Sequence, residues 1–206
     1  MRKGPGLLLR DFLKGNDPQI EAVILQIAAV NADIIALQGI DYDLENRGLM
    51  AMTDALSEAG LSYPHVFSAP PNAGRMASHD LDGDGKMGGP GDAQGYGRFF
   101  GQGSMAVLSK HPIRIEEVQD YSPFLWRDLP LAHLPEVEGQ VFPSEEAIAV
   151  QRLHAHGAWV IPIAHPAIGV VTVMTYHASP PVFDGPEDRN GKRNHDETLF
   201  WVHLRD

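Results

Sequence analysis

The most polar stretch of the chain, residues 177–197, brings histidine, arginine and carboxylate side chains close together in sequence. It begins directly after the apolar run 168–176 and leads into the apolar run 198–204. The first run predicts a buried strand, and the second predicts the body of a helix. A polar loop between two apolar elements is where a rigid scaffold presents a binding or catalytic site.

Two side chains near the start of the predicted helix suit the binding of a phosphate. Arg193 can bind phosphate through two parallel hydrogen bonds, and the N-terminus of a helix attracts anions. As an alternative, Asn194 caps the helix and Arg193 is solvated, because Asn194 and Glu197 have capping-box spacing. We predict Arg193 and Asn194 as phosphate-binding residues, with helix capping as the alternative.

A second polar segment matches the first half of a calcium-binding loop. Asp80, Asp82 and Asp84 alternate with other residues and are followed by a glycine. The twelfth position is Gly91 instead of a glutamate, and the flanks do not predict helices, which excludes an EF-hand. We predict a looser Ca²⁺ site formed by Asp80, Asp82, Asp84 and Asp92. The alternative is a solvated acidic turn.

Composition excludes several classes of function. The formal net charge of -11 argues against an electrostatic clamp for nucleic acid, although bound metal ions can invert the local field of an acidic protein. The absence of cysteine excludes disulfides, thiol catalysis and thiolate zinc sites. The ten histidines contain no His-Glu-x-x-His motif. No apolar run has the length of a transmembrane segment or of a signal peptide, and the compartment is left open.

The order of elements predicts an α+β protein with largely antiparallel sheets, in a single domain over residues 1–206. Residues 1–16 are predicted to be loop-like, and Trp126 is predicted to anchor the irregular segment 120–143. Periodicity predicts helices over 18–31, 49–59 and 195–204, and strands over 33–40, 63–69, 104–109, 113–119, 148–154, 158–164 and 168–176.

Three segments, taken in their order, resemble the endonuclease/exonuclease/phosphatase family of metal-dependent phosphoesterases. They are Ile34–Ile40, Gly103–Ile113 and Tyr176–Glu197. The runs 79–85 and 93–99 are similar to those of a bacterial branch of that family. The resemblance covers nearly the whole chain.

The resemblance implies a two-sheet β-sandwich flanked by helices, in four layers of the order α/β/β/α. It also implies Mg²⁺ or Mn²⁺ held by carboxylates, an activated water molecule, and hydrolysis of a phosphodiester or phosphomonoester. His177 stands where the family keeps a histidine at a strand end, so a catalytic role is implied, as a phosphate contact or general acid. The phosphorylated substrate is either a nucleic acid or a small molecule.

One departure from the family pattern concerns the metal. The family's metal-binding glutamate follows the glutamine of the first matching strand, but here Gln38 is followed by Gly39. Asp41 and Asp43 lie just beyond and are predicted as substitute metal ligands. The alternative is that both belong to a turn.

The other departure from the family pattern concerns the length of the chain. The resemblance predicts that the chain is truncated at both ends, lacking the family's first strand and its C-terminal strands. The sandwich is then expected to be incomplete, and the chain alone a fragment with weak or no activity. Exposed sheet edges would favour self-association. The alternative function is a non-catalytic calcium-binding or interaction module derived from the same fold.

Overall fold

The computed structural model describes residues 2–204. This part of the chain forms two compact units. The first unit runs up to Pro70 and includes Gly101–Gln119 and Trp159–Thr175. The second contains Pro71–Phe100, Asp120–Ala158 and the chain from Tyr176 onward. The single domain expected from the sequence stays a prediction.

Regular structure is concentrated in the first unit. The helices are α1 (Leu7–Lys14), α2 (Pro18–Val30), α3 (Arg47–Glu58), α4 (Glu145–Val150) and α5 (Arg189–His203). The strands are β1 (Ile34–Ile40), β2 (His65–Phe67), β3 (Ser104–Ser109), β4 (Gln119–Asp120), β5 (Glu136–Val137), β6 (Gln140–Val141), β7 (Ala158–His165) and β8 (Gly169–Tyr176). Short 3-10 helices lie at Leu44–Asn46, Pro90–Asp92, Ile115–Glu117 and Trp126–Asp128.

The first unit is built around β3, whose six residues are all buried. Its sheet has the order β1-β3-β2, and both pairs are antiparallel. Successive side chains of a strand point to opposite faces. Accordingly, Ala106 and Leu108 join the apolar cluster formed with α2 and α3, whereas Met105 and Val107 pack with Trp159 of β7. In this unit, the helices α2 and α3, the β1-β3-β2 sheet and a second sheet that contains β7 therefore form three successive layers.

The second sheet has the order β4-β7-β8, with β7 in the centre. Ile161 and Ile163 of β7 are fully buried in the cluster shared with β3. Strand β8 alternates between exposed and half-buried residues over most of its length. The predicted α+β class with antiparallel sheets is confirmed, and the sandwich is not closed.

One predicted loop is a helix. Residues 1–16 were expected to be irregular, but Leu7–Lys14 forms α1, between Gly6 and Gly15 in the left-handed region. Leu8 and Phe12, one helical turn apart, pack against the apolar cluster of the first unit. This tertiary contact decides the conformation of a segment too short to form a stable helix alone. Residue 1 lies outside the described residues.

Two predicted strands are also wrong. Ile113–Gln119 was expected to pair with β3, but both edges of β3 are already occupied by β1 and β2. Ile115–Glu117 is instead a short 3-10 helix. Ile148–His154 was expected to be a strand, but Glu145–Val150 forms α4, because Ser144 caps it by accepting a hydrogen bond from the Ala147 N–H.

The second unit contains long loops and two helices, of which α5 is the longer. Its apolar cluster combines Trp126, Leu129 and Leu153 with Phe200 of α5. Trp126 is fully buried and anchors the irregular segment, as the sequence predicts. Over residues 2–204, no helix combines the length and the hydrophobicity needed to cross a membrane.

Candidate functional site

His177 lies directly after β8 and stacks on a second histidine, His156. The two ring centroids are 4.1 Å apart and the ring planes differ by 15°. His156 Nδ1 lies 3.2 Å from the carbonyl oxygen of His177. Because a carbonyl oxygen only accepts, the proton of a neutral His156 is on Nδ1 and its Nε2 is an acceptor. No sequence motif marks His156 as a residue of the site.

Both rings are neutral near pH 7. Burial, together with the smaller effect of the charge of a protonated His177, lowers the pKa of His156 to about 3. Burial also lowers the pKa of the half-buried His177. The Nδ1 atom of His177 is buried and has no hydrogen-bonding partner within residues 2–204. A neutral imidazole offers one donor and one acceptor, which suits both hydrogen bonding and proton transfer to a substrate.

Glu197 of α5 holds the two segments that carry these histidines. One carboxylate oxygen accepts a hydrogen bond from the Ala155 N–H at 2.7 Å, and the other accepts one from the Ser179 N–H at 2.6 Å. Ala155 precedes His156, and Ser179 is two residues after His177. The buried Glu197 side chain therefore fixes the backbone next to His156 and the backbone next to His177.

Arg193 lies one helical turn before Glu197 and is almost fully buried. Its guanidinium donates hydrogen bonds to the carbonyl oxygens of Leu153, Gln94 and Arg152, at 2.7, 2.5 and 2.8 Å. The amide of Asn194 donates a hydrogen bond to the Ser179 carbonyl at 2.7 Å. The contacts described for Arg193 and Asn194 are thus with backbone carbonyls, and their role in phosphate binding stays a prediction.

The alternative in which Asn194 caps the helix is wrong. Helix α5 begins at Arg189, with Asp188 in the N-cap position, so Asn194 lies in the second turn. The Gly191 N–H and Asn190 N–H near the start of the helix donate hydrogen bonds to the Asp184 carboxylate. The helix thus begins within the segment that the sequence pattern assigns to a loop.

The buried pair formed by Arg193 and Glu197 has shifted pKa values. Burial lowers the pKa of Arg193 to about 10, partly offset by the charge of Glu197. Burial raises the pKa of Glu197 to about 7, although Arg193 and the two backbone N–H groups lower it. Arg193 is therefore charged at neutral pH, and Glu197 titrates in the physiological range.

Asn72 links two further arginines, Arg152 and Arg75, to the backbone of His156, and no sequence motif marks either arginine. Arg152 donates a hydrogen bond to the Asn72 side-chain oxygen at 2.8 Å, and the Asn72 N–H donates one to the His156 carbonyl at 2.8 Å. Burial and the charge of Arg75 lower the pKa of Arg152. The guanidinium of Arg75 lies over the Phe100 ring at 5.1 Å. Neighbouring guanidinium groups create a positive field that favours a phosphate.

No local signal in the sequence could identify this arrangement. Asn72, Arg152 and His177 belong to three segments that come together only in the folded unit. Asn72 is fully buried, and its amide also donates to the carbonyl oxygens of Ser122 and His154. The loop around Asn72 is therefore an ordered wall of the site.

The predicted calcium loop is compact. Ligand oxygens of Asp80, Asp82 and Asp84 all lie within 4.8 Å of one another. The Asp80 carboxylate accepts hydrogen bonds from the N–H groups of Gly83 and Gly85, at 2.6 and 2.8 Å. Burial raises the pKa of Asp82, and repulsion from the neighbouring aspartates raises it further. A bound cation would relieve this repulsion, so three of the four predicted ligands fit a hard cation.

The fourth predicted ligand, Asp92, has a structural role in the same loop. Its buried carboxylate accepts hydrogen bonds from the N–H groups of Leu81 and Gly89, at 3.1 and 2.9 Å. These hydrogen bonds connect Asp92, at the end of the loop, to Leu81 near its start and to Gly89. Asp92 does not belong to the group of converging oxygens formed by Asp80, Asp82 and Asp84.

Asp41 and Asp43 lie in the first unit, after the β-bulge at Gly39. One oxygen of Asp41 accepts a hydrogen bond from the Gly103 N–H at 2.9 Å, while the other is buried without a partner in the described part of the chain. Burial raises the pKa of Asp41. The Asp43 carboxylate accepts hydrogen bonds from the Gly48 N–H. Asp41 therefore fits a divalent metal better than Asp43.

Gly39 and Asp41 border a cavity of about 200 Å³, together with Arg2 and Gln38. Gly39 has a φ of 83° and offers no side chain to the cavity. Arg2 is held by the carboxylates of Asp11 and Asp17, each at 2.7 Å. Asp41 thus contributes a carboxylate to the lining of a space large enough for water molecules.

The fold and these residues define the class of the protein. It is an α+β protein whose first unit has sheet-on-sheet packing, and among the described residues several histidines and one carboxylate, Asp41, have buried ligand atoms without a partner. The chain belongs to the Endonuclease/Exonuclease/phosphatase family, because the model of that family matches residues 10–201. Members of this family act on phosphate esters, generally with divalent metals. Comparisons with curated proteins and with solved structures give no significant match.

Proposed function

We propose that this protein hydrolyses phosphate ester bonds with the help of Mg²⁺ or Mn²⁺. The single observation that carries the proposal is the neutral, stacked His177–His156 pair, whose backbone is linked through Asn72 to Arg152, together with membership of the family. The arginine would neutralise phosphate oxygens, and His177 would donate a hydrogen bond to the charge that develops on them. A bound cation would polarise the phosphoryl group and lower the pKa of a water molecule.

Rigid support of His177 favours a catalytic role over a purely structural one. The stack with His156 and the clamp at Glu197 restrict the ring and its backbone. Such restriction keeps a catalytic group in place without reorganisation during the reaction. The ring is only half-buried, so a substrate can reach it.

We expect the rate to be low. Gly39 has no carboxylate where the family resemblance predicts a glutamate, which leaves Asp41 as the fitting ligand in that region. Removal of a positioned catalytic group commonly costs orders of magnitude in rate. The truncation inferred from the resemblance, the bacterial branch and the choice between nucleic acid and a small molecule stay predictions.

The test is hydrolysis of a nitrophenyl phosphodiester and a nitrophenyl phosphomonoester by the purified chain. Metal-free protein would be compared with protein supplied with Mg²⁺ or Mn²⁺. His177→Ala should remove the metal-dependent rate, whereas His65→Ala, on a half-buried histidine of β2, should retain it. A rate that is insensitive to both chelation and His177→Ala would contradict the proposal.

A calcium-binding module is the second candidate function. The converging oxygens of Asp80, Asp82 and Asp84 and the raised pKa of Asp82 favour it. Calcium at millimolar concentration should raise the melting temperature, and Asp82→Ala should abolish the rise. Glu138→Ala, which removes an exposed carboxylate elsewhere in the second unit, is the control. Absence of any shift in the unaltered chain would remove this candidate.

We further propose self-association through β8. This strand is at the edge of its sheet and exposes Val170 and Met174 on one face. Unpaired strand edges with apolar side chains tend to pair with another chain. Light scattering should show a concentration-dependent dimer that the double substitution Val170→Lys and Met174→Lys converts to monomer. A monomer at all concentrations would argue against it.

A further inference from the structure

Three potential metal ligands that have no part in the site described above converge in the second unit. They are His133, from the loop before β5, and His195 and Asp196 of α5. His133 Nδ1 lies 2.8 Å and His195 Nδ1 lies 3.0 Å from the same oxygen, Oδ1 of Asp196. The centroids of the two imidazole rings are 4.5 Å apart.

The second oxygen of Asp196 is fixed by two other donors. Trp126 Nε1 and the His133 N–H each donate a hydrogen bond to Oδ2, both at 2.7 Å. Asp196 itself is fully buried. Metal-binding carboxylates are commonly held by hydrogen bonds of this kind, which orient the remaining oxygen towards the ion.

The two separations that involve Asp196 suit a small tetrahedral ion, and all three residues place a ligand atom within 4.8 Å of the others. Zinc lies about 2.0–2.1 Å from nitrogen and oxygen ligands, so two ligands of a tetrahedral site are about 3.3 Å apart. The observed separations of 2.8 and 3.0 Å therefore require movements of only a few tenths of an ångström. Imidazole nitrogens favour Zn²⁺ and similar transition-metal ions over Mg²⁺ or Ca²⁺, which prefer oxygen.

The surroundings leave the site open to a ligand. The side chains of His133 and His195 are 53% and 57% exposed, so a fourth position faces solvent. Lys192 is near, but its ammonium donates to the Leu134 carbonyl at 3.4 Å. Because the buried Asp196 accepts four hydrogen bonds, its pKa is lowered in spite of burial, and the carboxylate is ionised.

A second group of similar composition, Asp33, His111 and His165 of the first unit, is less suitable. The ammonium of Lys110 lies 3.2 Å from one oxygen of Asp33 and occupies the position of a cation. The other oxygen is 4.0 Å from His111 Nε2, a longer separation than either in the first group. This group provides a matched control.

We propose that His133, His195 and Asp196 form a binding site for Zn²⁺, with a fourth coordination position open to water or another ligand. Binding would fasten the loop that contains His133 to α5. This site is independent of the proposed phosphoesterase function, since it shares no residue with it.

The test uses the full chain after removal of metals with a chelator. Titration calorimetry should show one Zn²⁺ bound per chain, and His133→Ala and His195→Ala should each weaken binding at least tenfold. His165→Ala, from the control group, should leave binding unchanged. Added Co²⁺ should give the visible absorption of a tetrahedral site, which the first two variants lose.

Both histidines of the site are exposed, so the variants should fold, and their melting temperatures without metal would verify this. Zn²⁺ binding that survives unchanged in His133→Ala and His195→Ala would overturn the proposal. So would equal weakening by His165→Ala, or the absence of binding at micromolar Zn²⁺. Each of these outcomes is independent of hydrolytic activity.

Discussion

The two units differ in what fills their interiors. In the first unit the buried side chains are mainly apolar and come from strands and helices of regular periodicity. In the second unit many buried side chains are polar or charged and reach across loops. The buried polar residues of the second unit are Asn72, Asp92, Gln94, Ser122, Gln151, His154, Ser179, Arg193, Asp196 and Glu197.

The comparison shows that two kinds of stabilisation coexist in one chain. Apolar burial in the first unit stabilises any arrangement that keeps the side chains away from water. The polar network of the second unit stabilises one arrangement only, because each buried donor or acceptor needs its own partner. This network carries the candidate functional residues His156 and His177, whose positions depend on it.

Removing Arg193 should have the largest effect. Arg193→Met would leave three carbonyl groups without their donor and Glu197 without its nearby positive charge. Breaking a buried charged network by removing one member costs about 3–5 kcal/mol. Urea unfolding would measure the loss. Arg114→Met, at an exposed pair with Glu117, should change stability by less than about 0.5 kcal/mol, and similar losses in both variants would contradict the comparison.

Leu56→Ala tests the apolar interior in the same experiment. Leu56 of α3 is fully buried in the cluster with Leu108. Truncation of a buried leucine costs about 2–5 kcal/mol, according to how far the cavity collapses. We expect a loss at the lower end and unchanged Zn²⁺ affinity, since the second unit is not altered. The exposed Leu131→Ala is the control, and a loss below about 1 kcal/mol for Leu56→Ala would count against an apolar core there.

A methyl group at Gly95 should disturb the wall of the histidine site. A Cβ atom at this position would lie 1.7 Å from the carbonyl oxygen of Ala155, so the backbone must move. We expect Gly95→Ala to cost about 1–3 kcal/mol and to lower any hydrolytic rate. Gly89→Ala is the matched control, because its Cβ would meet only a carboxylate oxygen at 3.7 Å. Equal melting temperatures for the two variants would contradict this expectation.

The buried histidines should make the protein sensitive to acid. Burial lowers the pKa of His154 to about 3, so the stability present above its ordinary value of 6.5 is lost as the pH falls towards 3. The loss is about 1.4 kcal/mol per pH unit for one such group. Glu197 has the opposite effect on the pH dependence of stability. Its pKa is raised from the ordinary value of 4.5 to about 7, so its contribution to stability is complete below pH 4.5 and is lost as the pH rises towards 7.

The variant His154→Phe isolates the contribution of one histidine. Both ring nitrogens of His154 are buried without partners in residues 2–204, and its ring contacts Phe200 edge-on, so phenylalanine should fit. Between pH 6 and pH 5 the variant should lose about 1.4 kcal/mol less stability than the unaltered chain. Parallel stability curves for the two proteins would show that His154 is not responsible. His65→Ala serves as a control on a half-buried histidine.

Local patterns in the sequence determined most of the first unit. The helix predicted over 18–31 is α2, which begins at Pro18 where the Asp17 carboxylate accepts hydrogen bonds from the Gln19 and Ile20 N–H groups. Gly60 follows α3 with a φ of 85°, the left-handed conformation in which a glycine commonly ends a helix. The apolar run 104–109 is the buried strand β3. These features follow from the near neighbours of each residue, which is why the sequence alone contains them.

The tertiary structure decided the remainder. Leu7–Lys14 is helical because of its packing, and residues 148–150, predicted to begin a strand, are instead the end of α4. The sequence identified His177 through a family resemblance, but the stack with His156 and the hydrogen bond between Arg152 and Asn72 come from contacts between segments distant in sequence. Hydrogen bonds and charge act through space and not along the chain, so no local pattern specifies which buried polar groups will meet.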